Sequence, residues 1–384
     1  MAKASKIPAF SGSFTAGPVK TSNTGRGFFY FNDGPLFVWL LGKIFPDPET
    51  ENDNPASYIA NEYKTQGKKL FLNLDGDYTV VIKENSDLLI FLDFKGAGPL
   101  IFYNKEFFAN NLLAVSEKNS ADNKPDLKAL AFFLKYGFTP SEKSGIMNIK
   151  RLPPGCLLTI KNEKVEVENL YPEFCAAKVE APEHESSLMD IYSSLHKGSI
   201  KRRIKDKTAI SLLLSGGYDS GANLAGLREI YDGKLTAFTV SFKNNPFSEL
   251  EFVEIMADHF NAELNNYVID GSEINFLPDI VRQTGIPFQE SGLMINYSVM
   301  KEVQKFNPDI VLGGDGNDQF FGTGGMEIGF KYLVSITGIA LLLRLFRFLT
   351  RELNPLPCLT KSIFTSRRFL MYLKQTGGDL KPVI

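Results

Sequence analysis

Residues Ser215 to Ser220 read SGGYDS, and a second glycine-rich stretch, GGDGNDQFFGTGG, runs from Gly313 to Gly325. Gly216 and Gly217 let a backbone turn sharply and approach a ligand with no Cβ in the way. Ser215 and Ser220 add hydroxyl donors. A helix starting behind them would aim free N–H groups and the positive end of its dipole at the loop. That set suits phosphate oxygens. Asp219 does not, because a carboxylate repels phosphate unless a divalent cation lies between them. The lysine of the familiar phosphate loop is missing after Gly217, and no GxGxxG pattern is present. Five specified residues in this pattern arise by chance in roughly one chain in a thousand of this length. The plainer reading is a strand–turn–helix connection whose glycines serve packing, with a flexible glycine loop at 313–325.

Both stretches sit among alternating strand and helix patterns. TAISLLL is a buried-strand run, followed by a helical DSGANLAGLREIYDG ending at Gly233. LTAFTVSF, SELEFVEIMADHFNA and LNNYVID continue as strand, helix and strand. Two helical patterns, roughly Glu273 to Thr284 and Leu293 to Phe306, precede a strand DIVLGG. Such alternation implies a parallel sheet covered on both faces, with ligands outside the carboxyl ends of its strands. Both glycine stretches fall at that edge. Residues 27 to 172 read differently, as strand-rich. YTVVIKENSDLLIFLDF predicts a hairpin turning at Asn85 to Asp87, and CLLTIKNEKVEVENL another around Asn162. LLAVSEK shows strand-like alternation. One helix is predicted from Asp126 to Gly137, with an acidic N-cap and a terminal glycine. The polar tract 173–185 marks the boundary between the two patterns.

The remaining composition excludes several classes. The chain has 384 residues, 43% hydrophobic and 22% charged, with a formal net charge of −2, so two cores are affordable and nucleic acid is not an expected partner. Cys156, Cys175 and Cys358 are an odd, scattered set, and the histidines are His184, His196 and His259. A disulfide scaffold or structural zinc site is not expected, and a reducing cytoplasmic setting is. ITGIALLLRLFRFL, near the C-terminus, is short and interrupted by Arg344 and Arg347, so it reads as a half-buried helix rather than a membrane span.

SGGxDS after a strand is the pyrophosphate-binding loop of ATP pyrophosphatases, and from about residue 70 to 325 the chain resembles the asparagine synthetase family. LTAFTVSF with the next helix is similar to the family's adenine-contacting strand, RQTGIPFQESG to its EPFxDPS turn, and VLGGDGNDQFFGTGG to its second signature. LDGDYTVVI, FLDFKGAGPLIFY and IMNIKRLPPGCLL resemble motifs of its glutaminase domain. The implied fold is α/β: an N-terminal α+β glutaminase-like sandwich domain, residues 1–178, then a parallel-sheet ATP-pyrophosphatase (adenine nucleotide α-hydrolase-like) domain, residues 185–384. The resemblance puts Leu214 and Val240 near the adenosine of ATP and Ser215, Gly216, Gly217, Asp219 and Ser220 around its phosphates. Asp219 and Asp318 become Mg2+ ligands, Gly313 and Gly314 lie beside the α-phosphate, and Asp315 is a general base beside the acyl intermediate. A substrate carboxylate would attack the α-phosphorus and release pyrophosphate, and a nitrogen nucleophile would then displace AMP to form an amide.

The chain departs from that family in its chemistry. The glutaminase needs a cysteine directly after the initiator methionine, where this chain has Ala2; its first cysteine is Cys156. Leu92 and Gly98 replace an arginine and a lysine, no HRGPD-like segment is present, and His184 is the first histidine. Glutamine hydrolysis is therefore not expected, and Leu70–Tyr78 and Leu152–Gly155 read as fold-keeping segments. In this the chain is similar to β-lactam synthetases and lasso-peptide cyclases, whose amine comes from the substrate; free ammonia stays open. Gln319 and Thr323 replace a glutamate and a glycine of the second signature. About 60 residues follow Gly325, without the family's ExRxPFLD motif, and Lys361, Lys374 and Lys381 lack its lysine context. A truncated product, half of a split enzyme with a partner chain, and a non-catalytic nucleotide-binding relic are the alternatives. No membrane partner is expected.

Overall fold

The structure, a computed structural model, describes residues 9–13, 20–22, 27–46, 54–118, 123–162, 164–171, 185–243, 249–289 and 291–317. The chain divides into two units after Gly313; of the second, Gly314–Asn317 are described. The first unit begins with β1 (Ala9–Ser13), β2 (Lys20–Ser22), β3 (Phe28–Asp33), β4 (Leu36–Ile44) and helix α1 (Pro55–Gln66). Then come β5 (Gly76–Glu84), β6 (Asp87–Leu92), β7 (Phe102–Tyr103), β8 (Phe107–Ala109), α2 (Leu112–Lys118) and α3 (Leu127–Tyr136). β9 (Lys150–Arg151), β10 (Cys156–Lys161) and β11 (Lys164–Asn169) complete this region.

Among the described residues these strands form two antiparallel sheets, ordered β2-β1-β8-β7-β9 and β11-β10-β6-β5-β4-β3. Alternation along β4 and β5 explains their layering. Trp39, Leu41 and Val81 point into a core shared with Phe10, Tyr103 and Phe108 of the other sheet. Val38, Leu40, Val80 and Ile82 point the opposite way, onto Ala56, Ile59 and Ala60 of α1 and onto Leu70 and Phe71. A sheet buried on both faces needs apolar residues on both, so its strands read as unbroken greasy runs. Both predicted hairpins form. Asn85 and Asn162, at φ +54° and +49°, take the left-handed turn positions that asparagine tolerates. α3 has its expected ends: Asp126 accepts from Ala129 N–H, and Gly137 closes the helix at φ +85°.

LLAVSEK is a correction. It is α2 rather than a strand, because Asn111 Oδ1 accepts from the N–H groups of Leu113 (2.8 Å) and Ala114 (3.4 Å), and Leu112 and Val115 bury one face at i, i+3.

A third sheet and its helices follow: α4 (Glu185–Ile204), β12 (Ile210–Leu213), α5 (Tyr218–Ile230), β13 (Leu235–Phe242), α6 (Leu250–His259), β14 (Ala262–Ile269), α7 (Leu277–Thr284), α8 (Ser291–Lys305) and β15 (Ile310–Leu312). Its strands are parallel, in the order β14-β13-β12-β15. Ile210, Leu212, Ile310 and Leu312 pack on Ile200 of α4, Leu224 and Leu227 of α5 and Val253 of α6. On the opposite face Phe238, Leu213 and Val311 meet Val299 and Val303 of α8. Mixed α/β architecture with a covered parallel sheet is thus the observed fold class. Several boundaries differ from expectation, α6 for one ending at His259 rather than Ala262. α5 stops at Ile230 instead of Gly233, where Arg228 Nη1 takes the carbonyls of Tyr231 and Gly233. The single helix expected over 273–284 is a 3-10 turn, Ser272–Phe276, followed by α7, with Pro278 opening the new helix. The helix expected at ITGIALLLRLFRFL lies outside the described residues. Among the described residues, no helix is long and apolar enough to cross a membrane.

Candidate functional site

β12 owes its central place to a run in which successive side chains are buried on alternate faces, Ile210, Leu212 and Leu214 on one and Leu213 on the other. Pairing with β13 continues one residue past the strand, where Leu214 N–H donates to Phe238 O at 2.8 Å. On its other side β12 pairs with β15, Leu212 opposite Leu312. From β12 the chain proceeds outward through β13 and β14 and later returns to place β15 on the other flank. The strand order reverses at β12, and the crevice at such a reversal, beyond the carboxyl ends, is where open α/β sheets hold ligands. Here Ser215–Ser220 leaves β12 and Gly313 leaves β15, so two segments a hundred residues apart emerge side by side.

The SGGYDS loop closes on itself. Ser220 is buried; its Oγ accepts from Ser215 N–H at 3.0 Å, lies 2.9 Å from Ser215 Oγ and donates to Ser215 O at 3.0 Å. Gly217 N–H donates to Ser215 Oγ at 3.3 Å. The two glycines have different reasons to be there. A Cβ on Gly216 would come within 2.7 Å of Glu249 Cβ, so glycine is required by close approach. Gly217, the N-cap of α5, has an ordinary extended backbone at φ −87°, and a Cβ there would meet only Ser215 Oγ, at 3.4 Å. Neither strain nor packing calls for glycine at 217. What a side chain would fill is the space in front of the loop.

Asp219 lies in the first turn of α5, half-buried, with the fully exposed Tyr218 before it. Leu214 is buried in the core, so it offers a ligand its backbone alone, and Val240 is half-buried on β13. Gly313 O accepts from Asn223 Nδ2 at 2.7 Å. In the second unit, Gly314 and the exposed Asp315 precede Gly316, which takes φ +101°. Asp318 lies outside the described residues. Among the described residues no cluster of three or more His, Cys, Asp and Glu side chains forms. Asp219 still suits Mg2+, a hard cation bound through one or two carboxylates together with phosphate oxygens.

Three groups here escape sequence reasoning. Glu249 Oε2 accepts from Gly216 N–H at 3.1 Å, and nothing in SELE beyond a helix start signals it. Asn223 is flagged only as a poor helix former inside α5. His196 Nε2 lies 2.8 Å from Asn223 Oδ1. In the first region, Cys156 is buried in β10 and burial pushes its thiol pKa up, the reverse of an activated nucleophile. Asp93, also buried, gathers the N–H groups of Tyr78 (3.3 Å), Lys95 (3.0 Å), Ala97 (3.3 Å) and Gly98 (2.7 Å). A Cβ on Gly98 would sit 2.3 Å from the Tyr78 carbonyl, so this loop has no room for a side chain at that position.

Residues 192–362 match the family described as asparagine synthase, and residues 49–171 match the glutamine amidotransferase domain. A Methanocaldococcus jannaschii protein assigned by name to the glutamine-hydrolysing asparagine synthetases is 26% identical over 76% of this chain and 58% of its own length. Asparagine synthetase [glutamine-hydrolyzing] 1 of Bacillus subtilis is 23% identical over 70% of this chain and 43% of its own. The chain thus spans about half the length of these curated relatives. Among solved structures, the NH3-dependent NAD synthetase of Campylobacter jejuni shows a slight likeness, with a TM-score of 0.28 and 15% identity over 36% of this chain and 61% of that one. Matched in this order along most of its length, the chain carries an asparagine synthase-like region preceded by a glutamine amidotransferase-like region, an arrangement consistent with the asparagine synthetase family.

Proposed function

We propose that this chain is an ATP-dependent, AMP-forming amide-bond ligase, cytoplasmic, that activates a carboxylate as its acyl-adenylate and passes it to ammonia or a substrate amine without hydrolysing glutamine. The observation that carries this reading is the emergence of the SGGYDS loop and the Gly313 bend together at the strand-order reversal, with Gly217 left bare of any packing reason. Ser215, Gly216, Gly217 and Ser220 form the phosphate cradle, with Leu214 backbone and Val240 toward the adenosine. Asp219 and, on sequence alone, Asp318 hold Mg2+, which would neutralise the departing pyrophosphate. Gly313 and Gly314 lie beside the α-phosphate, and Asp315 takes the proton from the attacking amine. The buried Cys156 and the side-chain-free Gly98 support loss of the glutaminase step.

Gln319 and Thr323, standing for a glutamate and a glycine of the family signature, favour a second reading in which the chain binds ATP without turning it over, as a partner of another chain. The separating experiment supplies MgATP with panels of carboxylates and amines and follows AMP and pyrophosphate. Release of both, lost in Asp219→Asn and Asp315→Asn, supports the ligase. Nucleotide binding with no AMP from any mixture supports the second reading, and a chain that binds no nucleotide ends both.

A further inference from the structure

α5 carries an amide that its own helix has no use for. Asn223 stands among Gly221, Ala222, Leu224 and Ala225, and asparagine is a weak helix former because its side chain competes for backbone hydrogen bonds. Both ends of this amide are taken by other elements. Nδ2 donates to Gly313 O at the end of β15 (2.7 Å), and Oδ1 lies 2.8 Å from His196 Nε2 on α4. A carbonyl only accepts, so the amide must turn Nδ2 toward Gly313. Oδ1 then faces His196, whose Nε2 must carry the proton and donate. The imidazole is held in place on two sides. It stacks on Tyr192 with centroids 5.7 Å apart and planes 9° from parallel. It also lies against Gly226, where a Cβ would come within 3.1 Å of Cε1 and 3.2 Å of Nδ1.

We infer that Asn223 is a positioning residue of the nucleotide site, fixing the peptide that leaves β15, and that His196 holds its amide in the orientation that donates. The carbonyl and N–H of a planar trans peptide point in opposite directions. Engaging the Gly313 carbonyl therefore also sets the direction of the N–H that follows it, the type of donor a phosphate oxygen accepts. Without Asn223 the glycine bend can rotate and turn carbonyl lone pairs toward the anion. The inference rests on the nucleotide reading above, and specifically on the α-phosphate lying at this bend while the SGGYDS loop holds the other two.

The test titrates the full chain with MgATP, AMP and inorganic pyrophosphate. Asn223→Leu is expected to weaken MgATP and AMP by roughly 5–10-fold, the worth of one lost hydrogen bond, with pyrophosphate affinity unchanged. Asn223→Asp keeps the size but sets two acceptors face to face, so it shows the same selective loss and decides the matter should the leucine variant not fold. His196→Gln retains a donor and stays within about twofold of wild type, whereas His196→Leu loses selectively for AMP. An equal loss for all three ligands would mean a merely structural role and overturn the inference, as would unchanged AMP binding in both Asn223 variants. Wild-type protein that binds neither ATP nor pyrophosphate would instead end the nucleotide reading itself.

Discussion

Glu249 lies where a phosphate oxygen would be welcome. Its carboxylate accepts from Gly216 N–H at 3.1 Å, one of the donors the loop has for an anion. In the proposed function, the incoming phosphates would displace it, and its negative charge would oppose them. Glu249→Gln is expected to tighten pyrophosphate binding, by roughly 3–10-fold, measured by calorimetry. Weaker binding in that variant would make Glu249 part of the binding set instead. Gly217→Ala separates packing from ligand at the neighbouring position. With φ at −87° alanine fits the backbone, and its smaller unfolded-state entropy opposes the N-cap preference for glycine, so stability is expected to change by no more than ~1 kcal/mol while ATP binding weakens. Denaturant unfolding alongside titration reads both; a destabilised variant with intact binding would return Gly217 to a purely structural role. In the first region Asp93→Ala strips buried N–H groups of their acceptor, and a loss of about 3 kcal/mol in unfolding free energy is expected from equilibrium denaturation.

At the level of elements, legibility followed the match between hydrophobic period and burial. The strand runs ISLLL and LTAFTVSF were readable because they are buried on both faces, and the hairpins because Asn85 and Asn162 supply their turns. α4 was not readable: Leu188, Met189, Ile191 and Leu195 are exposed while Ile200 is buried, so no single stripe marks the inner face. α1 hid behind the sheet-rich context, although Asn54 capping Ala56 N–H and Pro55 in the first turn are start signals. α2, at seven residues, is too short for its period to be told from a strand's. The loops of the site were legible as motifs, whereas Glu249, Asn223 and His196 were not, because they meet only through the packing of α4, α5 and α6. Asp309 is another tie of that sort. Its Oδ2 accepts from Thr208 N–H (3.1 Å) and Ala209 N–H (3.0 Å), linking the start of β12 to the start of β15. The Ala209 N–H, then the Thr208 N–H, holds its carboxyl below the usual range. A depressed pKa contributes stability above the unfolded-state value, about 3.9, and loses it as pH falls through the folded value. Asp309→Asn is expected to flatten the acid limb of a stability-versus-pH curve and leave its neutral-to-alkaline limb parallel to wild type.

For the whole molecule, the amidotransferase-like region is a brace whatever its chemistry. Asp75 accepts from Arg203 (3.1 Å) and Arg202 (3.4 Å) of α4, Arg203 lies 4.5 Å from the Phe45 ring centroid, and Lys43 Nζ donates to Asp309 O at 3.1 Å. That role needs no nucleophile. Glutamine added with MgATP is accordingly expected to yield no glutamate in an amino-acid assay; glutamate formation would overturn the proposed loss of that step. The position of β15 carries a kinetic consequence. β12 acquires its first parallel neighbour from the next strand, but its second only after some hundred residues have been threaded, as the Ala209–Asp309 contact records. Closing so long a span is slow compared with zipping a hairpin. During refolding, the capacity to capture a fluorescent nucleotide should therefore arrive as a late phase, trailing the burial of Trp39 in the antiparallel layers.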